Sequence, residues 1–286
     1  MITGLLAGLF WAMDTFILSL GVSSSLFSLV YTFIHDFFSS IYLLFFHRKG
    51  TLSSFQALKS KKGKLLIVSS LLGGPIGMSA YVYSVYSIGI AYTSMISSLF
   101  PALGCLLAFL FLKEKMNKKQ VIGLILCIFS VCLLGYGCGN GQISGILSAA
   151  LCCICWALEG FICSIVMKEG IVTNQMALQI RQCVSFLTYG IVIMNIGHLW
   201  NYVLLVLNDW YILAFASFFG TVSYLLYYKA IKDIGVSRAM PLDITYCAWA
   251  LIFNLMAGQI PSVNEVICGI GIIGGAILVG KENEDK

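Results

Sequence analysis

Residues 81–91 read YVYSVYSIGIA, and residues 227–237 read YYKAIKDIGVS. The two stretches share a tyrosine at the start and an Ile-Gly pair near the end, at an offset of 146 residues. At the same offset, Val-Ile-Gly at 121–123 matches Ile-Cys-Gly at 267–269, so no gap is needed between the two matches. The chain therefore contains an internal repeat, which predicts a fold of two related halves.

The repeat extends to the start of each half. The segment Trp11-Ala12-Met13-Asp14 matches Trp156-Ala157-Leu158-Glu159 within one residue of that offset, as a tryptophan followed three residues later by an acid. We divide the chain into a first repeat, residues 1–138, and a second repeat, residues 139–286.

The composition places both repeats in a membrane. Of the 286 residues 59% are hydrophobic and 10% are charged, whereas about a quarter of a soluble domain is charged. A membrane-spanning helix needs about 20 apolar residues, so we predict an all-α integral membrane protein with ten transmembrane helices. The predicted helices lie at 2–20, 26–46, 64–88, 92–112, 121–137, 143–167, 175–196, 209–228, 238–257 and 262–280.

The basic residues indicate the orientation of these helices. All of them except Arg181 fall in every second loop, and by the positive-inside rule those loops and both termini are cytoplasmic. The first helix has no basic stretch before it and carries Asp14, so we expect it to be retained rather than removed as a signal peptide. The loop residues are Arg48, Lys49, Lys59, Lys61, Lys62, Lys64, Lys113, Lys115, Lys118, Lys119, Lys168, Lys229, Lys232, Arg238, Lys281 and Lys286.

Because each repeat has five helices, the second repeat enters the membrane from the opposite side. Equivalent positions of two inverted repeats meet near the middle of the membrane, where transporters of this architecture bind their substrates. We expect a monomer surrounded by lipid, because the two halves already supply both sides of a site. We expect no nucleic-acid partner.

The duplicated motif brings Trp11, Asp14, Trp156 and Glu159 to this central level. A tryptophan and an acid three residues apart share one helix face, and a buried carboxylate needs a compensating partner. Tryptophan is the best cation–π partner, and quaternary ammonium groups are commonly held in aromatic cages. The motif predicts a site for a small organic cation.

Other aromatic residues are candidates for the same cage. We include Tyr81 and Tyr246, and we give less weight to Tyr83, Tyr227 and Trp249, because aromatic residues near helix ends commonly anchor at the membrane interface.

Further polar residues lie within the predicted helices. The offset of 145 residues that relates the two tryptophan motifs places Asp36 opposite Arg181, which predicts a buried ion pair between them; the alternative is that Arg181 extends toward the cytoplasm. His35 is either a proton relay or a packing residue. Asp243 follows Met240-Pro241, where a charge in the first helical turn is an ordinary explanation.

The sequence predicts neither a metal centre nor a cofactor site. Cys152, Cys153 and Cys155 lie in an apolar run near Glu159 and are expected to be small packing residues. We expect no enzymatic activity, because the HExxH and GxSxG motifs are missing.

Several segments together resemble a known family. They are Tyr81–Ala91, the run Ser97-Ser98-Leu99-Phe100-Pro101, and Leu112-Lys113-Glu114-Lys115 followed by Gln120 and Gly123. With ten helices in two inverted halves, these resemble the EamA-type members of the drug/metabolite transporter superfamily. The second half departs from the pattern, with Cys247 at the proline position and Gly258-Gln259-Ile260 in place of the acidic turn.

Within that superfamily, the Trp-x-x-acid pair looks like that of the bacterial choline transporters. The resemblance implies an aromatic box of Trp11, Trp156 and Tyr246, with Tyr81 as a further member and Asp14 or Glu159 balancing the ammonium charge. It also implies proton-coupled import. The alternatives are an exporter of amino acids, purines or drugs on the same fold, a membrane enzyme, and a channel or receptor.

Overall fold

A computed structural model describes residues 2–21, 27–46, 54, 56–112, 117–136, 142–168, 172–234 and 236–280. The described residues form helices and turns and contain no strand. The α-helices are α1 (Ile2–Gly21), α2 (Phe27–Phe46), α3 (Lys61–Leu71), α4 (Ser79–Ser97), α5 (Phe100–Leu112), α6 (Lys118–Tyr136), α7 (Ile143–Met167), α8 (Asn174–Asn195), α9 (Leu199–Val206), α10 (Trp210–Ile234), α11 (Val236–Asp243), α12 (Tyr246–Met256) and α13 (Val263–Gly280).

The helices have the length and apolarity of a membrane protein. Among the described residues, six helical stretches are long and apolar enough to cross a membrane, and two shorter apolar helices follow them. The longest stretch, of 51 residues, would extend about 75 Å at about 1.5 Å per residue. A hydrocarbon core is about 30 Å thick. The stretch is therefore too long for one straight crossing and must reverse its direction.

The turn lies at Gly89, which has φ +79° and ψ 165°. This backbone region is open to glycine and strained for other residues. Gly89 thereby separates the third predicted helix from the fourth. The equivalent glycine of the second repeat, Gly235, lies outside the described residues, as do the loop residues at 48, 49, 113–115, 281 and 286.

Two helix breaks occur at equivalent positions of the repeats. A turn at residues 98 and 99 separates α4 from α5, and a turn at residues 244 and 245 separates α11 from α12. The two breaks are 146 residues apart, the offset of the sequence repeat. A π-helical segment, Leu72–Met78, also interrupts the third predicted helix around Pro75. Broken helices of this kind commonly border the substrate site of a transporter.

The helix packing follows the repeat as well. In the numbering of the ten predicted helices, the first helix (α1) packs along the eighth (α10). The third helix (α3, the π-helical segment and the start of α4) packs along the sixth (α7). The second and seventh helices (α2 and α8) pack together, as do the fifth and tenth (α6 and α13). Exchanging the two repeats leaves this set of pairs unchanged, as a two-fold relation between the halves requires. The boundary at residue 138 stays a prediction.

We predict that Gly89→Ala lowers the free energy of unfolding by about 1–3 kcal/mol, because a Cβ is strained at this backbone conformation. An added Cβ at Gly89 meets no atom within 4 Å, so backbone strain alone is expected to cause the loss. The measurement is thermal unfolding in detergent. Gly197→Ala is the matched control, because that Cβ is also uncrowded and no positive φ is involved; equal losses in both variants would contradict the prediction.

Candidate functional site

A cavity lies between the two halves, with about 360 Å³ of empty space, part of it open to solvent. Helices from both repeats contribute, including the helix that follows the first break and the segments on either side of the second break. The lining residues are Trp11, Phe100, Trp156, Glu159, Ser223, Tyr224, Tyr227, Asp243 and Tyr246.

Aromatic rings form most of the cavity wall. Trp11 is nearly perpendicular to Trp156, with ring centroids 5.2 Å apart, and to Tyr224, at 5.3 Å. Phe100 meets Trp156 at 6.1 Å and Tyr227 at 6.2 Å, again nearly edge to face. Mutually perpendicular rings turn faces as well as edges toward the space they enclose. The wall can therefore surround a bulky cation with π-faces.

Hydrogen bonds hold two of these rings in place. The indole Nε1 of Trp156 donates to the carbonyl oxygen of Gly73, at 3.2 Å, in the π-helical segment. The hydroxyl of Tyr246 lies 2.7 Å from Ser97 Oγ, so a residue after the second break is tied to a residue before the first. Phe100 and Tyr246 are themselves equivalent residues of the two repeats, at the offset of 146.

Tyr81 supports the cavity wall from behind. Its ring packs 5.9 Å from Trp11 and 5.0 Å from Trp156, and its side chain is completely buried. The hydroxyl lies 3.3 Å from both Thr15 Oγ1 and Ser94 Oγ. The structure thus places Tyr81 beside the two tryptophans but outside the cavity lining, unlike the sequence-based interpretation.

Glu159 lines the cavity with its charge already balanced. Its Oε1 accepts hydrogen bonds from Arg181 Nε at 2.7 Å and from the Tyr228 hydroxyl at 2.6 Å. Arg181 is 2% exposed; its Nη2 donates to Gly73 O and to the Tyr224 hydroxyl, and its guanidinium lies 4.2 Å from the Tyr224 ring centroid.

The prediction that Asp36 forms an ion pair with Arg181 is therefore wrong, because Arg181 pairs with Glu159. The helices that carry them, α2 and α8, do pack together, but Asp36 accepts a hydrogen bond from Ser185, one turn after Arg181 on α8. Arg181 instead faces Glu159 on α7. The alternative, an extended Arg181 near the cytoplasm, is also excluded by its burial.

Asp14 also has a partner away from the cavity. Its Oδ1 lies 3.3 Å from His35 Nε2, and His35 Nδ1 lies 3.0 Å from Asp36 Oδ1. Asp14 is completely buried and does not line the cavity. Each repeat therefore faces the acid of its Trp-x-x-acid motif with a basic side chain from the next transmembrane helix, His35 in the first and Arg181 in the second.

Asp243 provides the remaining carboxylate of the cavity. It is the last residue of α11, immediately before the second helix break. It is 8% exposed, and its Oδ1 has no hydrogen-bond partner among the described residues. The sequence-based explanation of Asp243 is a helix-end charge, whereas the structure places Asp243 in the cavity lining.

Sequence reasoning also missed or underrated several lining residues. Sequence reasoning gives little weight to Tyr227 and does not single out Phe100, Ser223 or Tyr224. The repeat could have revealed Phe100, because it is the equivalent of Tyr246. Tyr224 could have been found three residues before Tyr227 on one helix face. Tyr83 and Trp249 do not line the cavity.

The region of Cys152, Cys153 and Cys155 is buried. Within the described ranges, no group of three or more His, Cys, Asp and Glu side chains is arranged to hold a metal ion.

Comparison with known families agrees with this architecture. The model of the EamA-like transporter family matches residues 1–136 and 143–281. The chain belongs to the EamA-like transporter family. The two matched ranges together cover nearly the whole chain, so the predicted family resemblance is confirmed. The family is one of transporters, so membrane transport is the general activity that the fold and the match support.

Individual relatives of this EamA-like chain share between 16% and 36% of their aligned residues with it. Protein LicB of Haemophilus influenzae is 36% identical over 188 residues, which is 64% of this chain and 63% of LicB, so the match spans less than two thirds of LicB. Uncharacterized transporter YyaM of Bacillus subtilis is 26% identical over 250 residues, 80% of each chain. One crystal structure matches 97% of this chain and 95% of its own at a TM-score of 0.63 and 16% identity, which shows the fold alone.

The pairing of Glu159 with Arg181 predicts a double-variant cycle. Glu159→Gln or Arg181→Gln alone leaves one buried charge without its partner, which costs about 3–5 kcal/mol of stability. The double variant removes both charges, so its loss should be smaller than the sum of the single losses. Thermal unfolding in detergent measures the four proteins. The control cycle pairs Asp36→Asn with Arg181→Gln; a larger rescue in that cycle would contradict the assignment.

Proposed function

We propose that this protein is a secondary active transporter that binds choline or a related quaternary amine in the cavity between its repeats. The observation that carries the proposal is a wall of six aromatic rings beside the unpaired carboxylate of Asp243. A quaternary ammonium has no N–H to donate, so aromatic faces and a nearby negative charge are its natural partners.

The charges of the site favour a cation over a zwitterion. Arg181 balances Glu159, which leaves Asp243 as the one carboxylate of the lining without a basic partner in the described part of the chain. An ammonium group restores neutrality at Asp243. A substrate that adds its own carboxylate places a second negative charge in a poorly hydrated site, which is unfavourable.

The hydroxyl group of choline also has candidate partners. Tyr227 lines the cavity, and its hydroxyl has no hydrogen-bond partner among the described residues. Ser223 lines the cavity too; its hydroxyl donates to Ala7 O at 2.8 Å and retains its capacity to accept. A substrate with an ammonium at one end and a hydroxyl at the other can use both kinds of partner.

Alternating access suits the architecture. The cavity lies at two helix breaks that the repeat relates, and movement of one repeat against the other can open it to either side. We propose proton-coupled import by a monomer in the bacterial cell membrane, with both termini cytoplasmic. Lipids and the organic cation are then its partners. The alternative on the same fold is an exporter of amino acids or drugs, and a panel of substrates distinguishes the two.

We predict that Trp11→Ala and Trp156→Ala each weaken choline binding about 30-fold, because a desolvated cation–π contact contributes about 2 kcal/mol. Binding is measured by scintillation proximity or calorimetry on purified protein. Trp200→Ala is the matched control, because that tryptophan is half exposed and is not among the lining residues. Unchanged choline affinity in both cavity variants would contradict the cage.

We predict that Asp243→Asn weakens choline binding at least about tenfold, whereas Asp14→Asn leaves the affinity within about twofold. The comparison separates the acid in the cavity from the acid that the repeat motif favoured. A thermal-shift panel of choline, betaine, arginine, ethidium and nucleosides gives the substrate class. Stabilisation by choline but not by betaine is expected; stabilisation by arginine or nucleosides alone would favour the exporter alternative.

A further inference from the structure

A second polar cluster lies outside the cavity, formed by Asp14, His35 and Asp36, which we name the carboxylate–histidine triad. Both imidazole nitrogens of His35 face a carboxylate, Nε2 toward Asp14 at 3.3 Å and Nδ1 toward Asp36 at 3.0 Å. All three side chains are at most 2% exposed. We propose that this triad binds the proton that drives cation transport, an inference that rests on the proposed function.

The arrangement of the triad suits proton binding. A neutral imidazole has one N–H, so it can donate to only one of the two carboxylates, and its second nitrogen then directs a lone pair at the other. A protonated imidazole donates to both. In this structure His35 Nε2 and both Asp14 oxygens lack a well-aligned hydrogen bond, so the Asp14 side of the triad retains hydrogen-bonding capacity for a proton. Because the triad is buried, a change in its net charge changes the free energy of the protein strongly.

The triad lies at the contact between the repeats. Asp14, His35 and Asp36 come from α1 and α2 of the first repeat, whereas Ser185 of α8 donates a hydrogen bond to Asp36. A Cβ added to Gly220 of α10 would lie 2.7 Å from Asp14 Oδ2 and 3.0 Å from His35 Nε2. Movement of one repeat against the other therefore changes the surroundings of the triad directly.

Two helices connect the triad to the cation cavity. Helix α1 carries Trp11 in the cavity and Asp14 in the triad, three residues apart. Helix α8 carries Arg181, which pairs with Glu159, and Ser185, which contacts Asp36, one turn apart. The titratable and charged side chains that face the triad from packed helices are Tyr81 of α4, Arg181 and Tyr189 of α8, and Tyr224 of α10.

Proton binding and cation binding therefore act on the same two helices. The triad and Asp243 are separate groups, so the proton and the cation can be bound together rather than in competition for one carboxylate. Protonation of the triad lowers its net negative charge. The electrostatic stabilisation of the present arrangement of α1 against α10 then changes. The proton gradient can then bias which side of the membrane the cavity opens to.

The test uses the full-length protein in proteoliposomes with two readouts, labelled choline counterflow and choline-driven movement of protons followed by a pH-sensitive dye. For His35→Gln we expect counterflow within about twofold of wild type and a fall of at least about tenfold in proton movement. We expect the same two results for Asp14→Asn. This second variant provides the test if His35→Gln does not fold. His198→Gln is the matched control, because His198 is exposed in the turn before α9.

The outcomes separate the two proposals. Absence of choline counterflow in the wild type would overturn the proposed function, and the inference with it. Wild-type counterflow without proton movement, or full proton movement in both triad variants, would overturn the triad while leaving the cation site standing. Equal loss of both readouts in folded triad variants would show a merely structural role and would also overturn the inference.

Discussion

Arg181 and Glu159 carry opposite charges at a depth where neither could remain alone, and much of the site depends on their pairing. The guanidinium reaches the Glu159 carboxylate, the Gly73 carbonyl of the π-helical segment and the hydroxyl of Tyr224. The guanidinium of Arg181 on α8 thereby connects α7, α10 and the π-helical segment around a single charge. Such a buried pair is weak evidence for stability in itself, but it determines which other charges the cavity can use.

With Glu159 paired to Arg181, Asp243 is the carboxylate of the cavity lining that has no basic partner among the described residues. That residue is not part of the duplicated tryptophan motif; its equivalent in the first repeat, at the offset of 146, is Ser97. The aromatic wall follows the two-fold relation, with Trp11 and Trp156 as one pair and Phe100 and Tyr246 as another, whereas the free carboxylate occurs on one side only. A symmetric framework thus carries an asymmetric site, which suits a ligand with a charged end and a neutral end.

The sequence predicted most of the fold, because its signals are local. Each of the ten apolar runs proved helical in the described residues, and most ends agree within three residues; the eighth continues to Ile234. The tryptophans could be found because the repeat marks them twice. The partners of Asp14, Asp36 and Arg181 could not, because a repeat offset relates equivalent positions and does not say which way a side chain points.

By itself, the sequence determined that this chain is a helical membrane protein of two related halves and that Trp11 and Trp156 belong at its centre. Hydrophobicity, loop charge and internal repetition are properties of the linear chain, and a membrane leaves few alternatives to helices. Only the tertiary structure decided that Arg181 neutralises Glu159, that Asp14 faces His35 and that Asp243 enters the cavity. Charge pairing is settled by distances of a few ångströms between helices far apart in sequence, and the break before Tyr246 turns Asp243 inward.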